Sequence, residues 1–189
     1  MTKTARTAAV GAAVVMAVVA WTSDANAAES RAVVAGQPAL MAPDARVRGL
    51  SPRVVAVINE AAAESETFRG LVDLIGATDG IVYVAEGKCG QGVRACLLIK
   101  MTMMGPNRVL RILVDPGKED REFMGSVGHE LQHAVEVLSN RTVTTDTAMV
   151  LLFHKSGGAL NLFETYAAAE AGRAVRAELR ASAAAERRK

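Results

Sequence analysis

Apolar residues recur at steps of three and four in two segments that open the patterned part of the chain. The first segment follows Ser51-Pro52, a pair typical of the start of a helix, and the second runs from Ser65 to Ile75. Gly76 then provides a typical helix stop. The pattern predicts two consecutive amphipathic helices.

The period changes to alternation after Asp79-Gly80. Strands are predicted at Ile81–Val84, Ala95–Met104 and Arg108–Asp115, with glycine and proline in the segments that join them. Because these connections are short, an antiparallel meander is the expected pairing of the strands.

Helical periodicity returns after the strands. It predicts a helix over Asp120–Leu138, a shorter one over Asp146–Lys155 and a long one from Ala159, which ends in a frayed, charged tail after Arg180. The order helix, helix, strands, helix, helix predicts a fold of the α+β class.

The N-terminus has the pattern of an export signal. Lys3 and Arg6 precede the uncharged run Ala8–Trp21, and Ala25-Asn26-Ala27 is a typical cleavage site. The run is shorter than a membrane-spanning helix, which needs about 20 residues. We therefore expect residues 1–27 to be a cleaved signal peptide and the protein to be periplasmic or secreted, with an uncleaved membrane anchor as the alternative.

Composition divides the remaining chain into three parts. Residues 28–49 mix small residues, prolines and scattered charges without a period, which is typical of a flexible segment. Residues 50–180 form the predicted domain, and residues 181–189 its charged tail. The net charge of only +2 indicates no nucleic-acid partner, and no stretch after the signal is apolar enough to span a membrane.

Export changes the interpretation of the two cysteines, Cys89 and Cys96. In an oxidising compartment a close, even pair favours a disulfide. Metal binding is the alternative, but the spacing is not that of a zinc ribbon and there is no second pair.

The strongest candidate for chemistry is the H-E-x-x-H motif at residues 129–133. On a helix, His129 and His133 project from the same face and can bind one Zn²⁺ together. Glu130 is then placed to act on water as a general base. Leu131 and the apolar stripe of this helix lie on roughly the opposite side, so the motif is separate from the core-facing residues. Purely structural histidines are the alternative.

A catalytic zinc site needs a third protein ligand. The compact arrangement with a later histidine is excluded, because Glu136 and Ser139 occupy the positions of its glycine and histidine. Glu164 is favoured, because a carboxylate on an apolar, alanine-rich helix face needs a cation. Glu170 and Glu136 remain alternatives, and Glu136 can instead orient His133 from behind. Pairing of Glu164 with Arg173 would remove the need for a metal.

The blocks Val127–Ala134 and Phe163–Ala168 carry a resemblance to known proteins. The chain resembles the gluzincins, zinc metallopeptidases whose third ligand is a glutamate. It is also similar to small exported bacterial proteins of unassigned function with the patterns H-E-L-Q-H-A-x-E-V and F-E-T-x-A-A. The resemblance implies a zincin-like fold: a small antiparallel sheet, the active-site helix beneath it, and a C-terminal helix that carries the third ligand.

These features predict a zinc-dependent hydrolase that acts on a peptide or protein. Glu130 is the expected general base, and His154 is the favoured donor to the oxyanion, with Tyr166 and Tyr83 as the other candidates. His154 can equally interact with the last carbonyls of its own helix. An extended substrate is expected to pair with an edge of the sheet. The competing hypotheses are a non-catalytic zinc-binding or interaction protein and a structural envelope protein without metal; the oligomeric state is not predicted.

Overall fold

In a computed structural model, the structure describes residues 44–90, 93–117, 119–156 and 163–188. The predicted signal peptide and most of the predicted flexible segment lie outside these ranges. Within them, no helix combines the length and the apolar character that crossing a bilayer requires.

The described chain folds into five helices and a five-stranded sheet, which confirms the α+β class. In chain order the elements are β1 (Val47–Gly49), α1 (Pro52–Glu64), α2 (Glu66–Gly76), β2 (Gly80–Glu86), β3 (Ala95–Leu97), β4 (Thr102–Met104), β5 (Asn107–Val114), α3 (Asp120–Ser139), α4 (Asp146–Ser156) and α5 (Tyr166–Glu186).

The sheet is mixed, so the predicted antiparallel meander is wrong. Its order is β1-β2-β5-β3, in which β2 lies parallel to both β1 and β5, while β3 and β4 lie antiparallel along β5. The segment from residue 87 to 106 is long enough to carry the chain back to the end where β2 began, which parallel pairing requires. Alternation of side chains specifies the two faces of a strand but not its direction.

The predicted strand Ala95–Met104 is interrupted, and β3 and β4 are its two ends. At the interruption, the backbone N–H of Met101 donates a hydrogen bond to Oδ1 of Asp146 (2.6 Å) instead of joining a strand ladder. Lys100 Nζ also lies 3.2 Å from Oδ2 of Asp146. The start of α4 therefore holds the break in the strand.

The folded region begins earlier than predicted. β1 lies in the segment 28–49 that the sequence indicated to be flexible, yet Val47 is fully buried and pairs with Val82. At the other end, α5 continues to Glu186 and Ala183 is buried, so the predicted tail after Arg180 is largely helical. The sequence did not predict β1, because a three-residue strand is too short to show a period.

The core lies between one face of the sheet and the helices. Val82, Val84, Leu110 and Ile112 point from the sheet into this layer and are fully buried. They pack against α1, α2 and α3. The H-E-x-x-H helix, α3, is thus supported by the sheet, and its own fully buried Leu131 confirms that the motif's apolar side faces the core.

A buried arginine fixes the end of α3. Arg108, on β5, is 1% exposed and donates hydrogen bonds of 2.6–3.1 Å to the carboxylate of Asp79. It also donates to four backbone oxygens at and just beyond the C-terminus of α3, where carbonyls lack helical partners: those of Val137, Leu138, Asn140 and Val143.

Glycines let α5 approach α3 closely. A Cβ atom at Gly172 would lie 3.1 Å from Cβ of His129, and one at Gly128 would lie 2.8 Å from Cγ2 of Val175. Both distances are shorter than ordinary van der Waals contacts, so the two helices can pack this closely beside the motif only with glycine at these positions. This packing brings the start of α5 to the histidines.

Candidate metal centre

Three potential ligands converge at the motif. One ligand atom from each of His129, His133 and Glu164 can be chosen so that all lie within 4.8 Å of one another. Nε2 of His129 is 3.5 Å from Oε2 of Glu164. Two imidazoles and a carboxylate at this separation can bind a metal ion.

Glu164 reaches the site from a position that differs from the prediction. It was expected on a long helix beginning at Ala159, but α5 begins at Tyr166, so Glu164 precedes the helix. Thr165 is the N-cap: its hydroxyl accepts a hydrogen bond from the N–H of Ala168 (3.1 Å). Residues 157–162 lie outside the described part of the chain.

The environment of Glu164 fits a cation. Its Oε1 atom is buried and has no hydrogen-bond partner among the described residues. Burial raises the pKa of this carboxyl despite the opposing influence of His133. A buried, unpartnered carboxylate oxygen is costly, and a metal ion held with His129 and His133 would compensate it.

The orientation of the His133 ring is fixed by a contact between its Nδ1 atom and Glu136. Nδ1 lies 3.1 Å from Oε2 of Glu136, and Oε1 of Glu136 accepts a hydrogen bond from the hydroxyl of Thr165 (2.7 Å). Burial raises the pKa of Glu136, but hydrogen bonds with His133, Thr165 and Gln132, together with the electrostatic attraction of His133, outweigh it and lower the pKa. Because a carboxylate only accepts, Nδ1 carries the proton and Nε2 is the nitrogen available to a metal.

Glu130 is buried beside the histidines. Its Oε2 accepts a hydrogen bond of 2.7 Å from the backbone N–H of Leu97, on the edge strand β3. Its Oε1 lies 3.9 Å from Nε2 of His129. The motif's glutamate is therefore anchored to the sheet and lies next to the ligand cluster.

The cluster opens into a cavity of about 320 Å³. Its polar lining includes His129, Glu130, His133 and Glu164. The other lining residues are mostly apolar and come from the segment around β3, from α4 and from the residue before Glu164: Val93, Ala95, Cys96, Leu97, Ile99, Phe153 and Phe163.

Aromatic side chains flank the ligands. The ring of Phe153, on α4, meets that of His133 edge to face, with centroids 5.3 Å apart, and Phe163 contacts Phe153 at 6.2 Å. The rings of His129 and His133 are 4.9 Å apart. The sequence did not predict that these two rings line the site: Phe163 entered only as part of the block Phe163–Ala168, and an aromatic residue such as Phe153 on a helix usually belongs to the core.

The disulfide between Cys89 and Cys96 is confirmed, with Cα atoms 6.0 Å apart. Cys96 directly precedes Leu97 on β3 and lines the cavity. The bridge thus holds the edge strand that contacts Glu130.

The remaining candidate residues lie away from the cavity lining. His154 is exposed on α4, and Tyr166 is 81% exposed, with the Arg173 guanidinium 6.0 Å from its ring. Tyr83 accepts a hydrogen bond from Arg48 on another part of the sheet. Glu170 pairs with Arg173 at 2.6 Å on the surface. The oxyanion roles stay predictions that this geometry does not support.

Comparisons of the chain with protein-family models, with curated proteins and with solved structures found no match. The candidate site therefore stands on its own geometry.

Proposed function

We propose that the protein is an exported zinc-dependent peptidase of a gluzincin-like kind. The observation that carries this proposal is the convergence of His129, His133 and Glu164 in a cavity that Glu130 also lines. Two imidazoles and one carboxylate, with a second carboxylate beside them, are the groups that metal-assisted peptide hydrolysis requires.

Zinc is the favoured metal because of the donor set. Histidine nitrogen with a single carboxylate suits zinc, whereas calcium and magnesium prefer sites built of oxygen. Bound zinc would supply Lewis acidity, which acidifies water and polarises a carbonyl oxygen. The buried Oε1 of Glu164 supports a cation in this position.

Glu130 is the proposed general base. It takes a proton from the attacking water and delivers it to the leaving nitrogen. The N–H of Leu97 holds its Oε2, so that the carboxylate keeps one orientation. Leu97, Phe153 and Phe163 contribute apolar walls to the cavity. A substrate bound against these walls would displace water from the reacting groups, which strengthens the electrostatic effect of the site.

Export is supported by two observations of different kinds. The sequence of residues 1–27 predicts a signal peptide, and the Cys89–Cys96 disulfide is typical of an oxidising compartment. Fractionation of cells, with sequencing of the mature N-terminus, tests this part of the proposal. A mature chain that begins at Ala28 is expected.

Metal analysis and peptidase assays test the proposed activity. We expect one tightly held zinc per chain. Glu164→Ala should weaken zinc binding, and Glu170→Ala, a matched change on the exposed face of α5, should leave it unchanged. Glu130→Gln should retain zinc and lose at least a hundredfold in peptidase activity.

The outcomes separate the competing functions. A wild-type chain that takes up no zinc after dialysis against it would exclude the metallopeptidase. Tight zinc binding without activity that depends on Glu130, across a diverse peptide mixture, would instead establish a non-catalytic zinc-binding protein.

A further inference from the structure

We propose that Thr165 is a positioning residue that couples the orientation of His133 to the placement of Glu164, a role that rests on the metal site proposed above. Thr165 is neither one of the three proposed ligands nor part of the cavity lining. Its side chain is buried at the junction of α3 and α5, with 6% exposure.

The hydroxyl of Thr165 forms two hydrogen bonds that use different parts of the group. Its O–H donates to Oε1 of Glu136 (2.7 Å), and its oxygen accepts the N–H of Ala168 (3.1 Å). The first bond crosses to α3 and the second fixes the start of α5. One hydroxyl therefore joins α3, which supplies the two histidines, to the start of α5, which Glu164 precedes.

The link to His133 passes through Glu136. Oε1 of Glu136 is held by Thr165, and Oε2 faces Nδ1 of His133 at 3.1 Å. The Phe153 ring restricts the imidazole from another side. Removal of the Thr165 hydroxyl leaves the Glu136 carboxylate with fewer hydrogen bonds to fix it. His133 then has a less fixed Nδ1 partner and a less fixed direction of Nε2.

The link to Glu164 is covalent. Glu164 directly precedes Thr165, so the peptide bond between them ties its backbone to the residue that caps α5. Because Thr165 is tied to α3 through Glu136, the Glu164 carboxylate is held near His129 and His133. The same hydroxyl thus sets the separation between ligands from two elements.

A second buried cap provides a matched control. Ser65 caps α2 by accepting the N–H of Phe68 (3.0 Å), and it donates to Oε2 of Glu178 on α5 (2.6 Å). Its chemistry parallels that of Thr165: one cap bond and one bond to a carboxylate of another helix. Glu178 lies about 18 Å further along α5 than Tyr166, away from the ligands.

The experiment compares Thr165→Ala, Thr165→Ser and Ser65→Ala by zinc titration against a competing chelator and by thermal unfolding of the metal-free protein. Both alanine variants should lower the thermal midpoint. Only Thr165→Ala should lower zinc affinity, by about tenfold or more, and Thr165→Ser should restore it to within about threefold of the wild type. In combination with Glu136→Ala, the effect of Thr165→Ala on affinity should largely disappear.

Nitrogen NMR of the His133 ring in metal-free protein at pH 8 gives a readout independent of zinc. The wild type and Thr165→Ser should hold the proton on Nδ1, and Thr165→Ala should show a mixture of the two tautomers. Unchanged zinc affinity and an unchanged tautomer in Thr165→Ala would overturn the proposal. If the wild type binds no zinc but Thr165→Ala still shows the mixture of tautomers, the proposed metal function is excluded and the effect of Thr165 on the orientation of His133 is retained.

Discussion

The carboxylate of Glu130 accepts a hydrogen bond from the backbone N–H of Leu97 at 2.7 Å, and so joins the motif helix to the edge strand of the sheet. The bond satisfies an N–H at a sheet edge and a buried carboxylate oxygen at once. Because the partner is a backbone group, its position depends on how well β3 is held. Cys96, the preceding residue, is held by its disulfide.

Under the proposed function, loss of the disulfide should therefore act on catalysis more than on metal binding. In the variant Cys89→Ser/Cys96→Ser, β3 is freer and Glu130 less well oriented, so we expect peptidase turnover to fall several-fold while zinc affinity stays within about threefold. Stability should fall by about 2–3 kcal/mol. Hydrogen exchange of the Leu97 amide should accelerate; equal protection in the variant would contradict this link.

Arg108 is expected to be one of the most sensitive structural positions. Arg108→Ala leaves Asp79 and four carbonyls near the end of α3 without their donor, and should cost about 3 kcal/mol or more in urea unfolding. Arg111→Ala removes an exposed arginine from the same strand and should change stability by less than about 0.5 kcal/mol. Similar losses in both variants would refute the assigned role.

The Asp79–Arg108 pair also predicts a dependence of stability on pH. Hydrogen bonds from Arg108 lower the pKa of Asp79 below its usual value. The contribution of the pair is therefore complete above the unfolded-state pKa of about 3.9 and is lost as the pH falls through the lower folded-state pKa. The stability difference between wild type and Asp79→Asn should be constant near pH 7 and shrink below about pH 4. A difference that grows on acidification would contradict this sign.

The close contact of α3 with α5 predicts a steric effect beside the motif. Gly128→Ala forces a methyl group against Val175 and should cost about 1–3 kcal/mol. Under the proposed function it should also weaken zinc binding, because a shift of α5 displaces Glu164. Gly70→Ala, on α2, meets no atom within 4 Å and should stabilise by about 0.5–1 kcal/mol. Combining Gly128→Ala with Val175→Ala should cost less than the sum of the single changes.

The sequence was most informative where local chemistry determines local structure. Ser51 caps α1 as predicted, with its side chain accepting the N–H of Val54, and α3 runs from Asp120 to Ser139, one residue beyond the predicted end. The motif's spacing placed His129 and His133 on one face. Such features depend on residues within a few positions of one another.

Features that depend on distant partners could not be predicted in the same way. The parallel pairing of β2 with β5 follows from the path of a long connection, and the break in the edge strand follows from Asp146, far along the chain. The helix α5 begins at Tyr166 and not at the predicted Ala159, because the Thr165 hydroxyl caps the helix and binds Glu136. The cap was a local signal, because threonine is a common N-cap residue and Ala168 lies three positions after it. The bond from Thr165 to Glu136 joins distant residues, so no local pattern in the sequence indicated it.

The interrupted edge strand has a consequence for self-association. Unpaired strand edges are templates on which other copies of a chain can add. Here the edges of the sheet are formed by β1 on one side and by β3 and β4 on the other, each three residues long. Asp146 binds the backbone between β3 and β4, so these two strands offer no continuous ladder to a foreign strand. We therefore expect the described sheet to add further strands poorly, while Ala95–Leu97 stays beside the cavity.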